Sequence, residues 1–262
     1  MKIALTNWSV FQKLSWRSVE ADLSAIAAAK ESVLSDDTAE LLLRLDQKVD
    51  PKHCALVAID VQNDFAADGG FFDKVGADLK PIQTERVPAL LRLITEARRT
   101  GVLVIFIQAI YDPEYLSAPM RERNARLGME IPRCLTGSWG ADFFEVRPEA
   151  GEPVVIKHRY SAMVNTGLKD ILEKRKIRSL LLTGIATDTC VESLGRDAYF
   201  IDYYVTVVAD CCGAASEQDH LGALKRFSRD YGQVVASSDV IEIWNATGAA
   251  SPQSAAFASL SN

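Results

Sequence analysis

The segment Ser179-Leu180-Leu181-Leu182-Thr183-Gly184-Ile185-Ala186-Thr187-Asp188-Thr189-Cys190-Val191-Glu192 decides the fold. Its first seven residues form an apolar run too short for a buried helix, so they predict a strand; a turn of small residues follows, and helical spacing then resumes. A strand that passes through a tight turn into a helix is half of a βαβ unit. Within the turn, Thr189 and Glu192 have the spacing of a capping box, which predicts Thr189 as N-cap and Cys190 as the first helical residue. Unpaired N–H groups and the helix dipole at that position favour an anion and lower a thiol's pKa. A cysteine so placed is either a nucleophile or an inert side chain at the start of a core helix. The segment alone leaves both readings open.

The same rhythm runs outward from this unit. Apolar runs at Cys54 to Val61, Val102 to Ala109, Pro153 to Lys157, Tyr204 to Asp210 and Gln233 to Ser237 join Ser179 to Ile185 as six strands, all expected to be buried. Between them Val87, Leu90, Leu91, Ile94 and Ala97 fall at helical spacing and stop at Gly101, and Leu168, Ile171 and Leu172 do the same before Lys174 and Lys176. Further helices are expected after Cys190 and Glu217. Right-handed crossovers with helices on both faces then give an α/β fold, a doubly wound three-layer α/β/α sandwich on a mostly parallel six-stranded sheet. Ligands of such sheets bind beyond the carboxyl ends of the strands.

Residues 1–53 lack this rhythm. Ala39, Leu42, Leu43 and Leu45 suggest one amphipathic helix before Pro51, in an arm that also carries Trp8 and Trp16. Such an arm packs on its own domain or a neighbouring subunit, or covers the site as a lid. Residues 54–245 are expected to form the domain, and the Ala/Ser-rich residues 246–262 a loose tail.

Composition narrows the partners. The 262 residues are 48% hydrophobic, which excludes a disordered or fibrous chain, and 29 basic against 35 acidic residues give a net charge of −6. An acidic surface disfavours nucleic acid and anionic membranes. The cluster Arg121, Arg123 and Arg126 reads as a solvated face. The five cysteines, an odd number, come with no visible export signal, no spanning apolar run and no CxxC spacing. Reduced thiols in a cytoplasm are the expectation.

Three ionisable or nucleophilic residues fall at strand tips. Asp60 closes the run Ala55-Leu56-Val57-Ala58-Ile59, and is either a general base raised by burial or a carboxylate capping the next loop at Asn63 or Asp64. Lys157 closes Val154-Val155-Ile156, and either snorkels to solvent or pairs with a buried acid. Cys190 follows the fourth strand. One acid, one cation and one thiol at the tips of three strands point to a shared site. His158, next to Lys157, faces the other way by strand alternation. Cys211 and Cys212 are expected to pack, and Gly69-Gly70 precedes no helix that could bind phosphate. With no glycine fingerprint after the first strand, a nucleotide-binding domain is disfavoured.

The pattern resembles the isochorismatase-like cysteine hydrolase superfamily over residues 54–245. The resemblance rests on Ala58-Ile59-Asp60-Val61-Gln62-Asn63-Asp64-Phe65, on Lys157-His158-Arg159-Tyr160-Ser161 with Asn165-Thr166, and on Thr183 to Arg196. It implies a catalytic triad of Asp60, Lys157 and Cys190, a cis peptide between Ile185 and Ala186, and an oxyanion hole from the N–H groups of Ala186 and Cys190. It implies no metal. Nicotinamidases of the superfamily bind a metal through an Asp-x-His pair after the second strand, where this chain has Gln108-Ala109-Ile110-Tyr111-Asp112; of His53, His158 and His220, none supplies that geometry.

Among the cysteine-bearing branches the chain is most similar to ureidoacrylate amidohydrolases and biuret-type ureido amidohydrolases, with Gly137-Ser138-Trp139 in support. The implied activity is cofactor-free hydrolysis of a C–N bond in a small ureido or carbamoyl amide, through a Cys190 thioester, releasing ammonia or a carbamate. Phe65 would wall the pocket; Gln108, Tyr111 and Arg159 would read polar groups of the substrate. A homo-oligomer, dimer or tetramer, is expected. The alternatives are an amidase of maleamate or an N-carbamoyl amino acid, and a non-catalytic scaffold of the same fold. The loop from Tyr111 to Arg133 and the N-terminal arm depart from the pattern.

Overall fold

Every residue of β1 (Cys54–Ile59) and β4 (Ser179–Ile185) is buried, because the two strands lie side by side at the centre of a sheet covered on both faces. The computed structural model describes residues 41–129 and 131–249. Around the central pair, β2 (Leu103–Ala109), β3 (Val154–Lys157), β5 (Tyr204–Gly213) and β6 (Gln233–Val235) complete a six-stranded sheet in the order β3-β2-β1-β4-β5-β6. All neighbours are parallel. The chain moves outward from β1 to β3, then returns to the other side of β1 as β4. That reversal opens a crevice beyond the carboxyl ends of β1 and β4, the topological switch point of an open α/β sheet.

The period of two in the strands sorts the core. Leu56, Ala58 and Phe106 face one layer with Leu90, Leu93 and Ala97 of α1 (Val87–Thr100) and Val240 and Trp244 of α6 (Ser237–Ala249). Val57, Ile59 and Ile105 face the other, with Leu168 and Leu172 of α3 (Leu168–Lys174), Leu194 and Ala198 of α4 (Glu192–Tyr199), and Leu224 and Phe227 of α5 (Glu217–Asp230). Helix α2 (Ala118–Arg126) lies between β2 and β3 in the chain and buries none of its side chains. α1 ends where its spacing predicts, at Gly101, whose φ of 78° lets its N–H cap the Ala97 and Arg98 carbonyls. Among the described residues no helix is long and apolar enough to cross a membrane.

Several expectations need correction. β3 is an edge strand, so Val154 and Ile156 stand exposed while Val155 and Lys157 turn inward. β5 runs on to Gly213 and takes Cys211 and Cys212 into the buried sheet. Among the described residues before Pro51 only Leu45–Lys48 is helical, and Leu42, Leu45 and Val49 are buried parts of the core rather than of an arm. The Trp244 indole N–H donates to the Val49 carbonyl at 2.7 Å. α6 continues through the expected start of the tail to Ala249. Two compact units divide the chain after Leu41; Ala39, Trp8 and Trp16 lie outside the described residues.

The capping box is also absent. The helical run after β4 begins earlier, as a π turn over Thr187–Val191 with Ala186 as its N-cap, and passes directly into α4. Glu192 instead turns its buried carboxylate to Arg196 at 2.5 Å and to Arg226 of α5 at 3.0 Å. The two guanidinium groups outweigh burial and hold its pKa below the usual range. Glu192 therefore fastens α4 to α5, behind the turn that carries Cys190.

Candidate active site

The site forms because β1, β3 and β4 end at the same edge of the sheet. Asp60 leaves β1 in the left-handed region at φ 50°, a conformation that asparagine and aspartate adopt more readily than other non-glycine residues. Its N–H still holds the last rung to Ile107, at 3.0 Å, and its carbonyl accepts from Gln62 N–H at 2.8 Å. Opposite, Gly184 has φ 108°, and a Cβ there would stand 2.0 Å from the Ile59 carbonyl oxygen. Only glycine lets β4 approach β1 this closely. The register between β4 and β5 shifts at the same place.

On β3 the alternation that exposes Ile156 buries Lys157 completely, so the snorkelling reading is excluded. Its ammonium lies 2.7 Å from the Asp60 carboxylate, both side chains having no solvent exposure. It also donates to the Arg159 carbonyl at 2.9 Å and contacts Cys190 Sγ and the Tyr111 hydroxyl, each at 3.4 Å. The structure thus brings Asp60, Lys157 and Cys190 into one contact, with Tyr111 beside them. The peptide between Ile185 and Ala186 is cis.

The electrostatics follow from burial. Burial pushes the Cys190 thiol up to about 12, with Lys157 opposing the rise and Asp60 adding to it. This corrects the expectation of a thiol acidified by a helix N-terminus: Cys190 is the fourth residue of its helical run and fully enclosed. Burial also raises the Asp60 carboxyl, and the pull of Lys157 and of the Cys190 hydrogen bond does not cancel it. For Lys157 burial acts downward, but Asp60, Cys190 and Tyr111 together hold its ammonium well above the ordinary lysine value. The resting site is therefore a neutral thiol beside a buried ion pair of Lys157 and Asp60. Burial raises Cys54, Cys134, Cys211 and Cys212 as well. What distinguishes Cys190 is its contact with the Lys157 ammonium.

The other expected site residues divide. Tyr111 is buried with its hydroxyl at Lys157. Phe65 is buried edge-on to Phe72, ring centroids 5.3 Å apart. The Gln108 amide is taken by the Ala141 carbonyl at 2.9 Å, and the Arg159 guanidinium by the Tyr115 carbonyl at 2.8 Å and the His158 carbonyl at 2.6 Å. Arg159 meets the triad through its backbone instead. The histidines lie apart. His53 precedes β1 at the opposite end of the sheet; His158 bonds the Ile110 carbonyl at 2.8 Å and stacks on Tyr115; His220 of α5 bonds the Thr187 hydroxyl at 2.8 Å.

Three residues around the site were not singled out as site residues in the sequence. His220 braces Thr187, the first residue of the turn that carries Cys190. Gln62 is wholly buried, accepts from Ala109 N–H at 2.8 Å and donates to the Ala109 and Ala141 carbonyls, tying together the loops after β1 and β2. Its signal was a polar residue directly after an apolar strand. Arg133 is buried next to Tyr111.

Known proteins share the sequence pattern and the fold. Ureidoacrylate amidohydrolase RutB of Serratia proteamaculans is 35% identical over 184 residues, covering 64% of this chain and 73% of that protein. The Yersinia enterocolitica protein of the same name is 37% identical over 175 residues, covering 60% and 73%. Among solved structures, a cysteine hydrolase from Pseudomonas syringae pv. phaseolicola superposes with TM-score 0.67 at 22% identity, over 80% of this chain and 99% of that one. N-carbamoylsarcosine amidase from Thermoplasma acidophilum gives 0.56 at 26%, over 71% and 96%. The isochorismatase-domain family model matches residues 54–239, a span that holds the whole sheet together with Asp60, Lys157 and Cys190, and the chain belongs to the isochorismatase family.

Proposed function

We propose that the protein is a cysteine-dependent amidohydrolase that cleaves a C–N bond of a small ureido or carbamoyl amide through a covalent Cys190 intermediate. The observation that carries this reading is the contact of Asp60, Lys157 and Cys190 at the switch point of the sheet. The names of the amidohydrolase relatives support it.

Because burial holds the Cys190 thiol far above neutral pH, the resting enzyme carries little free thiolate, and thiol ionisation is coupled to attack. Asp60 takes the thiol proton while Lys157 stabilises the developing thiolate. The sulfur adds to the amide carbon, and the N–H groups of Ala186 and Cys190 hold the oxyanion; one such donor is typically worth about 2.7–4 kcal/mol. The C–N bond then breaks, and Asp60 returns its proton to the leaving nitrogen. A water, deprotonated by Asp60, attacks the thioester or thiocarbamate, and the sulfur departs with that proton. Every proton moves on this chain's own residues, and neither a metal nor an organic cofactor takes part in a step.

Two outcomes check the scheme. Because burial raises Asp60, the acid limb of kcat/KM is expected above the ordinary carboxylate range near 4: activity falls as pH drops through the raised Asp60 value. Lys157 and Cys190 titrate far to the alkaline side, so the profile is expected to level off above the Asp60 limb and to show no second limb at mildly alkaline pH. A limb below pH 4 would remove Asp60 as the base. Dialysis against a chelator is expected to leave activity unchanged, and a loss that zinc restores would refute metal independence.

The function itself is tested by an ammonia-release screen over ureidoacrylate, biuret, triuret, N-carbamoyl amino acids, maleamate and nicotinamide, with Cys190→Ala as blank. Ureido amides are expected to be fastest. Nicotinamide or maleamate outrunning them would overturn the substrate class.

A further inference from the structure

Arg133 is 8% exposed, yet none of the ion pairs among the described residues includes it. Its guanidinium carbon stands 4.8 Å from the centre of the Phe71 ring and 5.4 Å from that of Tyr111. Among the described residues no carboxylate lies within ion-pair distance of it. Asp64, the acid that reaches this loop, has one oxygen on the Cys134 N–H at 2.5 Å and the other on the Phe71 N–H at 3.1 Å. Stacking on aromatic rings offsets only part of the cost of burying a cation. An arginine enclosed with no counter-charge among the described residues is suited to receive an anion.

Its place says which anion. Arg133 and Tyr111 both line a cavity of about 400 Å³ that also reaches Asn124, Met129 and the exposed Arg121. That volume suits a small molecule. The Tyr111 ring is shared: its centre is 5.4 Å from Arg133 and 5.7 Å from the Lys157 ammonium, which touches Cys190. Tyr111 is thus the wall common to this cavity and to the Asp60–Lys157–Cys190 cluster, which places the guanidinium one side chain away from the thiol's neighbour; its planar fork fits a carboxylate better than any other small anionic group of such amides.

We propose that Arg133 is the specificity residue of the site, binding a carboxylate on the substrate at the end away from the scissile bond. This rests on the amidohydrolase reading and narrows it to acidic ureido amides, rather than neutral ones such as biuret. Asn124 and Arg121 add polar contacts at the mouth.

The test compares wild type, Arg133→Met and Arg133→Lys, each as the full chain. The substrates are a ureido amide with a terminal carboxylate and its analogue with methyl in that place. For Arg133→Met, kcat/KM on the acid is expected to fall about 100-fold or more, mainly through KM, and to stay within about threefold on the methyl analogue. Arg133→Lys keeps the charge but loses the fork, and should lie between. An equal fall on both substrates would make Arg133 a mere brace for Phe71 and Tyr111, and no fall on the acid would also overturn the proposal. A calorimetric titration with succinate needs no turnover. Binding that wild type shows and Arg133→Met loses supports the anion site even if no amide is hydrolysed, an outcome that would sink the amidohydrolase reading alone; equal binding by both proteins overturns the anion site.

Discussion

Replacing Cys190 with alanine is expected to lower kcat/KM by about 10⁴-fold or more and leave the melting temperature within a few degrees of wild type. The asymmetry comes from what the sulfur does. It is the only protein atom in the scheme that bonds to substrate carbon, and without it Asp60 and the N–H groups have a water but no nucleophile held against the carbonyl. In the folded protein the same sulfur is a small buried group 3.4 Å from Lys157, and alanine removes one atom from that contact. Its loss leaves the Asp60–Lys157 pair intact at 2.7 Å, so no charge is stranded. Serine keeps the shape but offers an alcohol that Asp60 cannot deprotonate, and should be nearly as inactive. Substrate turnover and circular-dichroism melts on the same preparations check both halves. Substantial residual activity would end the covalent scheme.

The second large effect concerns the pair that serves this sulfur. Asp60→Asn leaves a buried ammonium without its counter-charge, and Lys157→Met leaves a buried carboxylate; each single change is expected to cost about 3–5 kcal/mol of stability. Both should also lower kcat/KM by about 10³-fold or more, since one removes the proton acceptor and the other the charge that steadies the thiolate. Combining them removes both charges. The double variant is expected to regain much of the stability lost by either single change while staying inactive, because a buried ion pair is often replaceable by neutral groups without net loss. Chemical denaturation beside steady-state kinetics reads the two quantities separately. If the double variant is as unstable as the sum of the singles, the pair holds the fold together, and its placement at the site is secondary.

This separation between fold and chemistry explains which parts of the molecule were legible in the sequence. Central strands were readable because β1 and β4 are buried on both faces, which demands an unbroken apolar run, and a charged residue ending such a run stands out at Asp60 and Lys157. The edge position of β3 was not, since Val154-Val155-Ile156 has the composition of a central strand, and neighbours rather than sequence decide that Val154 and Ile156 meet solvent. The capping-box reading of Thr189 and Glu192 failed for a related reason. Spacing suits the box, but Glu192 has stronger partners in Arg196 and Arg226, one of them on another helix, and the chain winds into a π turn from Thr187.

The site shows the same division. Asp60, Lys157 and Cys190 each occupy a position that strand geometry singles out. Gln108 and Arg159 occupy similar positions, yet the carbonyls of Ala141 and Tyr115 hold their side chains. Arg133 gave no signal at all, because an arginine in a polar loop is ordinary; its meaning comes from Phe71 and Tyr111, brought from distant parts of the chain to bury it. Pairing with main-chain oxygens and enclosure by remote rings are tertiary events with no local pattern.

The central claim is that hydrolysis passes through an acyl group on Cys190, and partitioning with hydroxylamine tests it most directly. A thioester or thiocarbamate formed on Cys190 meets water or hydroxylamine in a step after the C–N bond has broken. The covalent scheme predicts a hydroxamate, or hydroxyurea from a carbamoyl group, that rises in proportion to added hydroxylamine while release of the leaving amine does not slow. Release of the amine with no such product at any hydroxylamine concentration would mean that water attacks the amide directly, and would contradict the account.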